Sequence, residues 1–175
     1  LKQMRVTVDG KRQPLITAKD IVLSIVSKIG AGGAFGHTIE YAGEAISSLS
    51  VEERLTVCNM TIEAGGRAGI IAPDQITFEY LNGREFVPKG IAWNKVLDYW
   101  KNLPTDEGAV FDTEITLNAE KIEPMVSWGN TAEESVPISG FIPDPEGMED
   151  VDRRESLFRA LDYMGLNPGM KMTDI

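Results

Sequence analysis

Two helix-capping signatures, each set between short apolar runs, constrain this sequence most. Thr17 with Asp20, and Ser50 with Glu53, each put a hydroxyl three residues ahead of a carboxylate, which satisfies the free N–H groups at a helix start. After the first, Ile21, Val22, Ile25, Val26 and Ile29 keep helical spacing until Gly30 stops them. After the second, a helix is expected to about Ala64, with Leu55, Cys58 and Ile62 on its buried side and Gly65-Gly66 as its stop. Strands are expected at Met4–Val8, before the Asp9-Gly10 turn, and at His37–Ala42. Ala68–Ala72 reads as a short, fully buried strand ended by Pro73. Strand and helix thus alternate, the pattern of an α/β fold: a three-layer α/β/α domain with a mixed, largely parallel sheet.

The second half is looser. Asp74 caps a helix carrying Ile76, Phe78, Tyr80 and Leu81, closed by Asn82-Gly83. Ile91–Trp100 is amphipathic, with Trp93, Val96, Leu97 and Trp100 at helical spacing. Phe111–Leu117 alternates as an edge strand, and shorter strands are expected at Met125–Trp128 and Val136–Ser139. A last helix, Asp152–Met164, should turn Leu157, Phe158, Leu161 and Met164 inward and end at Gly165. The proline-rich acidic stretch Pro143–Asp150 is the best linker candidate. It divides an α/β domain, residues 1–142, from a linker and helix, residues 143–175.

Charge and side-chain inventory remove whole classes of function. Seventeen Lys and Arg against 27 Asp and Glu give a net charge of −10, which opposes nucleic acid and anionic membranes as partners. No apolar run approaches a membrane span and no signal peptide opens the sequence, so the expected location is cytoplasmic. With Cys58 the one cysteine and His37 the one histidine, no internal disulfide, cysteine-held cluster or multi-histidine zinc site can close. His37 has no Ser or Cys partner for a nucleophilic triad, and nothing basic adjoins Cys58 to activate its thiol. Gly30–Gly36 invites a dinucleotide reading but fails it. Its third position is Phe35, and it follows a helix rather than a strand.

The residues with chemical content are Asn59 and Glu63. At a spacing of four they stand one turn apart on one helix face. From Leu55 to Gly66, Glu63 is the one ionisable group besides the weakly acidic Cys58. A carboxylate above a carboxamide can hold a substrate hydroxyl or a metal-bound water, and a solvated polar pair is the plain alternative.

The segments His37-Thr38-Ile39-Glu40-Tyr41-Ala42-Gly43, Leu49-Ser50 and Thr56 to Gly69, with Cys58-Asn59-Met60 and Glu63 at their centre, resemble the large subunits of 3-isopropylmalate dehydratases, in the aconitase superfamily. The similarity continues at Ala72-Pro73-Asp74, Thr77–Leu81, Val126-Ser127-Trp128-Gly129 and Ala160–Leu166. Gly66 stands where these subunits often have alanine. The resemblance implies an aconitase iron–sulfur-domain type of fold and isomerisation of 2-isopropylmalate to 3-isopropylmalate by removal and re-addition of water, in leucine biosynthesis. It implies Glu63 and Asn59 as catalytic residues, a [4Fe–4S] cluster whose cysteines lie outside this sequence, and a separate small subunit as partner. It also implies that the chain is a central section of the subunit, inactive and without cofactor by itself. Homoaconitase, methylmalate/citraconate isomerase large subunits and a non-catalytic scaffold domain of the same fold are the alternatives.

Overall fold

The computed structural model describes residues 1–128 and 131–175. Gly129 of the Val126–Gly129 similarity lies outside the described residues. Four strands form one parallel sheet in the order β3-β2-β1-β4: β1 (Lys2–Asp9), β2 (His37–Ala42), β3 (Ala68–Ile70) and β4 (Thr113–Asn118). β1 is central, with Met4 opposite Ile39 of β2 and Thr113 of β4. Two further strands, β5 (Met125–Ser127) and β6 (Ser135–Pro137), pair antiparallel in a sheet of their own. Strands of both orientations are therefore present, in separate sheets.

The helices follow the capping signals. α1 (Ala18–Ile29) begins at a complete Thr17–Asp20 box and α3 (Val51–Asn59) at a complete Ser50–Glu53 box. Between β2 and α3 lies the single turn α2 (Glu44–Ser47). α1, α2 and α3 cover one face of the sheet. There Met4, Val6 and Val8 of β1 and Ile39 and Tyr41 of β2 pack with Ile21, Val22, Ile25, Val26, Ile46 and Val57 in one buried cluster. α4 (Gln75–Leu81) and α5 (Ile91–Trp100) lie on the path from β3 to β4, which must return across two strands. A return of this kind keeps its right-handed sense only by crossing the opposite face. The segment after α5 does so: Thr105 donates to the Glu40 carboxylate, and Arg5 lies 5.3 Å from the Phe111 ring centre. Arg5 and Glu40 alternate with the core residues of β1 and β2, so they mark that second face.

α5 takes the bounds the sequence predicts. Trp93, Val96, Leu97 and Trp100 are its half-buried stripe, and Trp100 stacks on Phe78 of α4 at 6.3 Å. A second apolar cluster joins Trp128, Ile142, Leu157, Leu161 and Met172. It packs α6 (Val151–Met164) against the β5–β6 hairpin, and Ile142 N–H donates to the Met170 carbonyl beside it. Pro143–Asp150 carries a 3-10 turn between residues that share this cluster. No helix among the described residues is long and apolar enough to cross a membrane.

Three sequence expectations are corrected. Leu55 and Ile62 are exposed, and the buried row of this segment is Arg54, Val57, Thr61 and Ala64. β3 is an edge strand with Ile70 exposed, because no strand pairs beyond it. In α6 the inward residues are Leu157, Ala160 and Leu161, while Phe158 and Met164 face out. The small Ala160 replaces Phe158 at the packed surface.

Candidate functional site

α3 does not continue to Ala64. At Met60 it tightens into a 3-10 turn, Met60–Ala64, which ends at Gly65 in the left-handed region (φ 78°). A 3-10 helix has three residues per turn, so positions three apart eclipse each other. Three rows result. Thr61 and Ala64 point inward and are buried. Asn59 and Ile62 form an exposed row. Met60 and Glu63 form the third, and both line a cleft of about 470 Å³. Its other walls are Lys19, Asp20 and Leu23 of α1, Met125 and Ser127 of β5, and Thr131 and Ala132.

The pair chosen from the sequence is therefore not stacked as an α-helix would stack it. Asn59 is exposed on the neighbouring row and contributes nothing to this cleft, whereas Glu63 opens into it. Glu63 forms no hydrogen bond or ion pair among the described residues, so its carboxylate faces the cleft unengaged. Asp20, on the opposite wall, is committed. Its Oδ1 accepts from Met125 N–H at 2.8 Å and its Oδ2 from Thr17 N–H at 2.8 Å. Burial raises its carboxyl pKa, but these hydrogen bonds outweigh burial and leave it below the usual carboxylate value.

The floor of the site explains why the turn is so tight. Thr61 Oγ1 and Tyr41 OH are 2.9 Å apart in the core, and Gly66 N–H donates to the Thr61 carbonyl at 3.2 Å. Ala34, inside the glycine segment, donates its N–H to the Ala64 carbonyl at 2.8 Å. The glycines let the chain's own segments approach. A side chain at Gly69 would overlap Thr61 Oγ1, and one at Gly66 would put Cβ 2.6 Å from the Thr61 methyl. The Tyr41 pKa is pushed up to about 12, chiefly by burial, against the Thr61 hydrogen bond and aided by nearby Cys58.

Arg54 fixes the other end of α3. It is 5% exposed, and all five of its N–H groups are used. Nε donates to the Leu49 carbonyl at 3.1 Å and Nη2 to the Ser47 carbonyl at 2.8 Å. Nη1 and Nη2 grip Asp74 at 2.7 and 2.6 Å, and Nη1 also reaches Thr77 Oγ1 at 3.1 Å. Asp74 meanwhile caps α4 through Thr77 N–H, so one guanidinium ties α2, α3 and α4 together.

His37 is structural: it is buried, and its Nδ1 donates to the Phe35 carbonyl at 3.1 Å. Cys58 is half-buried and burial raises its thiol pKa, the reverse of what a thiolate ligand requires. Among the described residues no three His, Cys, Asp or Glu converge on a metal-sized site. The residues of this chain therefore do not fit the role of ligands to an iron–sulfur cluster.

Sequence spacing missed Lys19, Asp20, Met125, Ser127, Thr131 and Ala132 as neighbours of Glu63, because they come from α1, from β5 and from the segment after it, and it missed Met60 because positions three apart eclipse only in a 3-10 turn. It also missed Thr61 and Tyr41. Glycine at position 66 was the signal for these, since it makes room for the Thr61 methyl. The model of the aconitase family (aconitate hydratase) matches residues 1–175, and the chain belongs to that family.

Proposed function

From that membership, we propose that the chain works as part of a hydro-lyase that converts 2-isopropylmalate to 3-isopropylmalate by loss and re-addition of water. Glu63 carries a proton to and from the departing hydroxyl in the cleft, and Asn59, exposed outside the cleft lining, contacts the part of the substrate that extends beyond it. The observation that carries this reading is the unengaged carboxylate of Glu63 in the cleft beside Met60 and Asp20. A structural glutamate would be tied down, as Glu53 is by Ser50 and Arg12.

The choice of isopropylmalate over homoaconitate or methylmalate/citraconate rests on the Ile39-Glu40-Tyr41-Ala42-Gly43 lead-in. A [4Fe–4S] cluster belongs to the chemistry expected of such an enzyme. The residues here do not provide its ligands, so the contribution assigned to this chain is side-chain chemistry alone. Exposed Ile62 and Phe35, 69% and 75% accessible, flank the turn and support a site completed by other protein, in this reading including a small subunit.

Glu63→Gln removes the proton-carrying group and keeps the shape. In the complete enzyme assembled with its small subunit, turnover of 2-isopropylmalate should fall about 100-fold. Turnover within twofold of the parent protein would refute the reading.

A further inference from the structure

We propose that the Tyr41–Thr61 hydrogen bond is a positioning device that holds the 3-10 turn in the form that aims Glu63 into the cleft; this rests on the reading of Glu63 as the proton carrier. The bond ties the turn to β2, in the centre of the sheet, at 2.9 Å. Among the described residues it is the one side-chain hydrogen bond joining Met60–Ala64 to the sheet; Thr61 Oγ1 also donates to the Val57 carbonyl of the preceding α3, at a long 3.5 Å. The remaining ties are backbone: Gly65 N–H to the Ile62 carbonyl, Gly66 N–H to the Thr61 carbonyl and Ala34 N–H to the Ala64 carbonyl.

The geometry makes the aim of Glu63 sensitive to that tie. A 3-10 helix advances 120° per residue and an α-helix 100°. Over the four steps from Asn59 to Glu63 the difference is about 80°. A turn relaxed to α-geometry would swing Glu63 out of the Met60 row toward Asn59, away from the cleft walls at Asp20 and Met125. Thr61 is 2% exposed and seated between Tyr41, Gly66 and Gly69, so its side chain has little room to move. Thr61 and Tyr41 lie outside the cleft lining and act through the turn.

The double variant Y41F/T61V tests this. It removes both partners, so neither is left buried and unpaired, and it keeps the shape of the pair. Measured on the complete enzyme, amide hydrogen exchange across Thr61–Gly66 should rise at least about tenfold, with β1 and β2 unchanged. In the same protein kcat should fall about tenfold while KM stays within twofold. T61S keeps the hydroxyl and should restore both exchange and kcat. Unchanged exchange in the turn, or T61S as damaging as Y41F/T61V, overturns the proposal. The E63Q kinetics separate the two ideas: full turnover of E63Q removes the role of Glu63, while the exchange result still decides whether this bond holds the turn.

Discussion

Replacing Gly66 with alanine should destabilise this protein for a reason that a second substitution can cancel. The backbone itself permits alanine, because Gly66 is not among the glycines with positive φ. The obstacle is steric: the new Cβ would lie 2.6 Å from Thr61 Cγ2, 3.3 Å from the Thr61 carbonyl oxygen and 3.4 Å from Ile39 Cδ1. Carbon atoms rest about 3.5–4.0 Å apart, so relief requires a shift of about 1 Å in a packed core. Thr61 cannot rotate away without giving up its bond to Tyr41, which would leave buried hydroxyls unpaired. Overpacking of this kind costs about 1–3 kcal/mol. We expect about 2 kcal/mol for G66A, read as a lowered urea midpoint at unchanged m-value. T61S keeps Oγ1 for Tyr41 and deletes the offending methyl, so in the T61S background G66A should cost less than about 0.5 kcal/mol. The double-mutant cycle then shows a coupling of about 1.5 kcal/mol. Additivity within about 0.5 kcal/mol would refute the steric argument.

Asp74→Ala should lower stability by about 2 kcal/mol in the same denaturation assay, since it uncaps α4 and leaves the Arg54 guanidinium buried without its anion. That figure is already reduced for the 37% exposure of the Asp74 side chain, and a change under about 0.5 kcal/mol would contradict it. Tyr41 should stay protonated until about pH 12, against the ordinary tyrosine value of 10.0. Its folded pKa is the higher one, so its stabilising contribution is intact below pH 10 and declines as pH rises from 10 toward 12. Denaturation midpoints compared with Y41F over that range should converge as pH rises, and parallel curves would refute the assignment.

The fold was legible where a local interaction decides the element. Thr17 with Asp20 and Ser50 with Glu53 close as complete boxes, and Gly30, Gly65 and Gly165 all sit at helix ends. β2 and α5 take the bounds read from the sequence because alternation and helical spacing there are unbroken. Less was legible where burial depends on a distant partner. Leu55 and Ile62 were expected in the core because they are apolar, yet it is the charged Arg54 that is buried. The order is inverted because Asp74, 20 residues away, offers Arg54 a bidentate partner inside the domain. Paired and fully hydrogen-bonded, the guanidinium can be buried at a site where an unpaired charge could not.

At the site, sequence spacing put Asn59 and Glu63 on one face, and the structure puts them on neighbouring rows. An interval of four means one shared face only while the helix keeps 3.6 residues per turn. The tightening at Met60 changes that relation, and nothing in Asn59 or Glu63 encodes it. It is encoded in their neighbours: a threonine with a tyrosine to bond, and glycines at 66 and 69 that leave room for it. The same contacts that bury Thr61 leave Glu63 facing a cleft whose opposite wall is an aspartate already committed to Thr17 and Met125. Of the two carboxylates lining that cleft, Asp20 has both oxygens filled and Glu63 has neither filled among the described residues. This asymmetry is what supports the proposal that Glu63, and not Asp20, is the proton carrier.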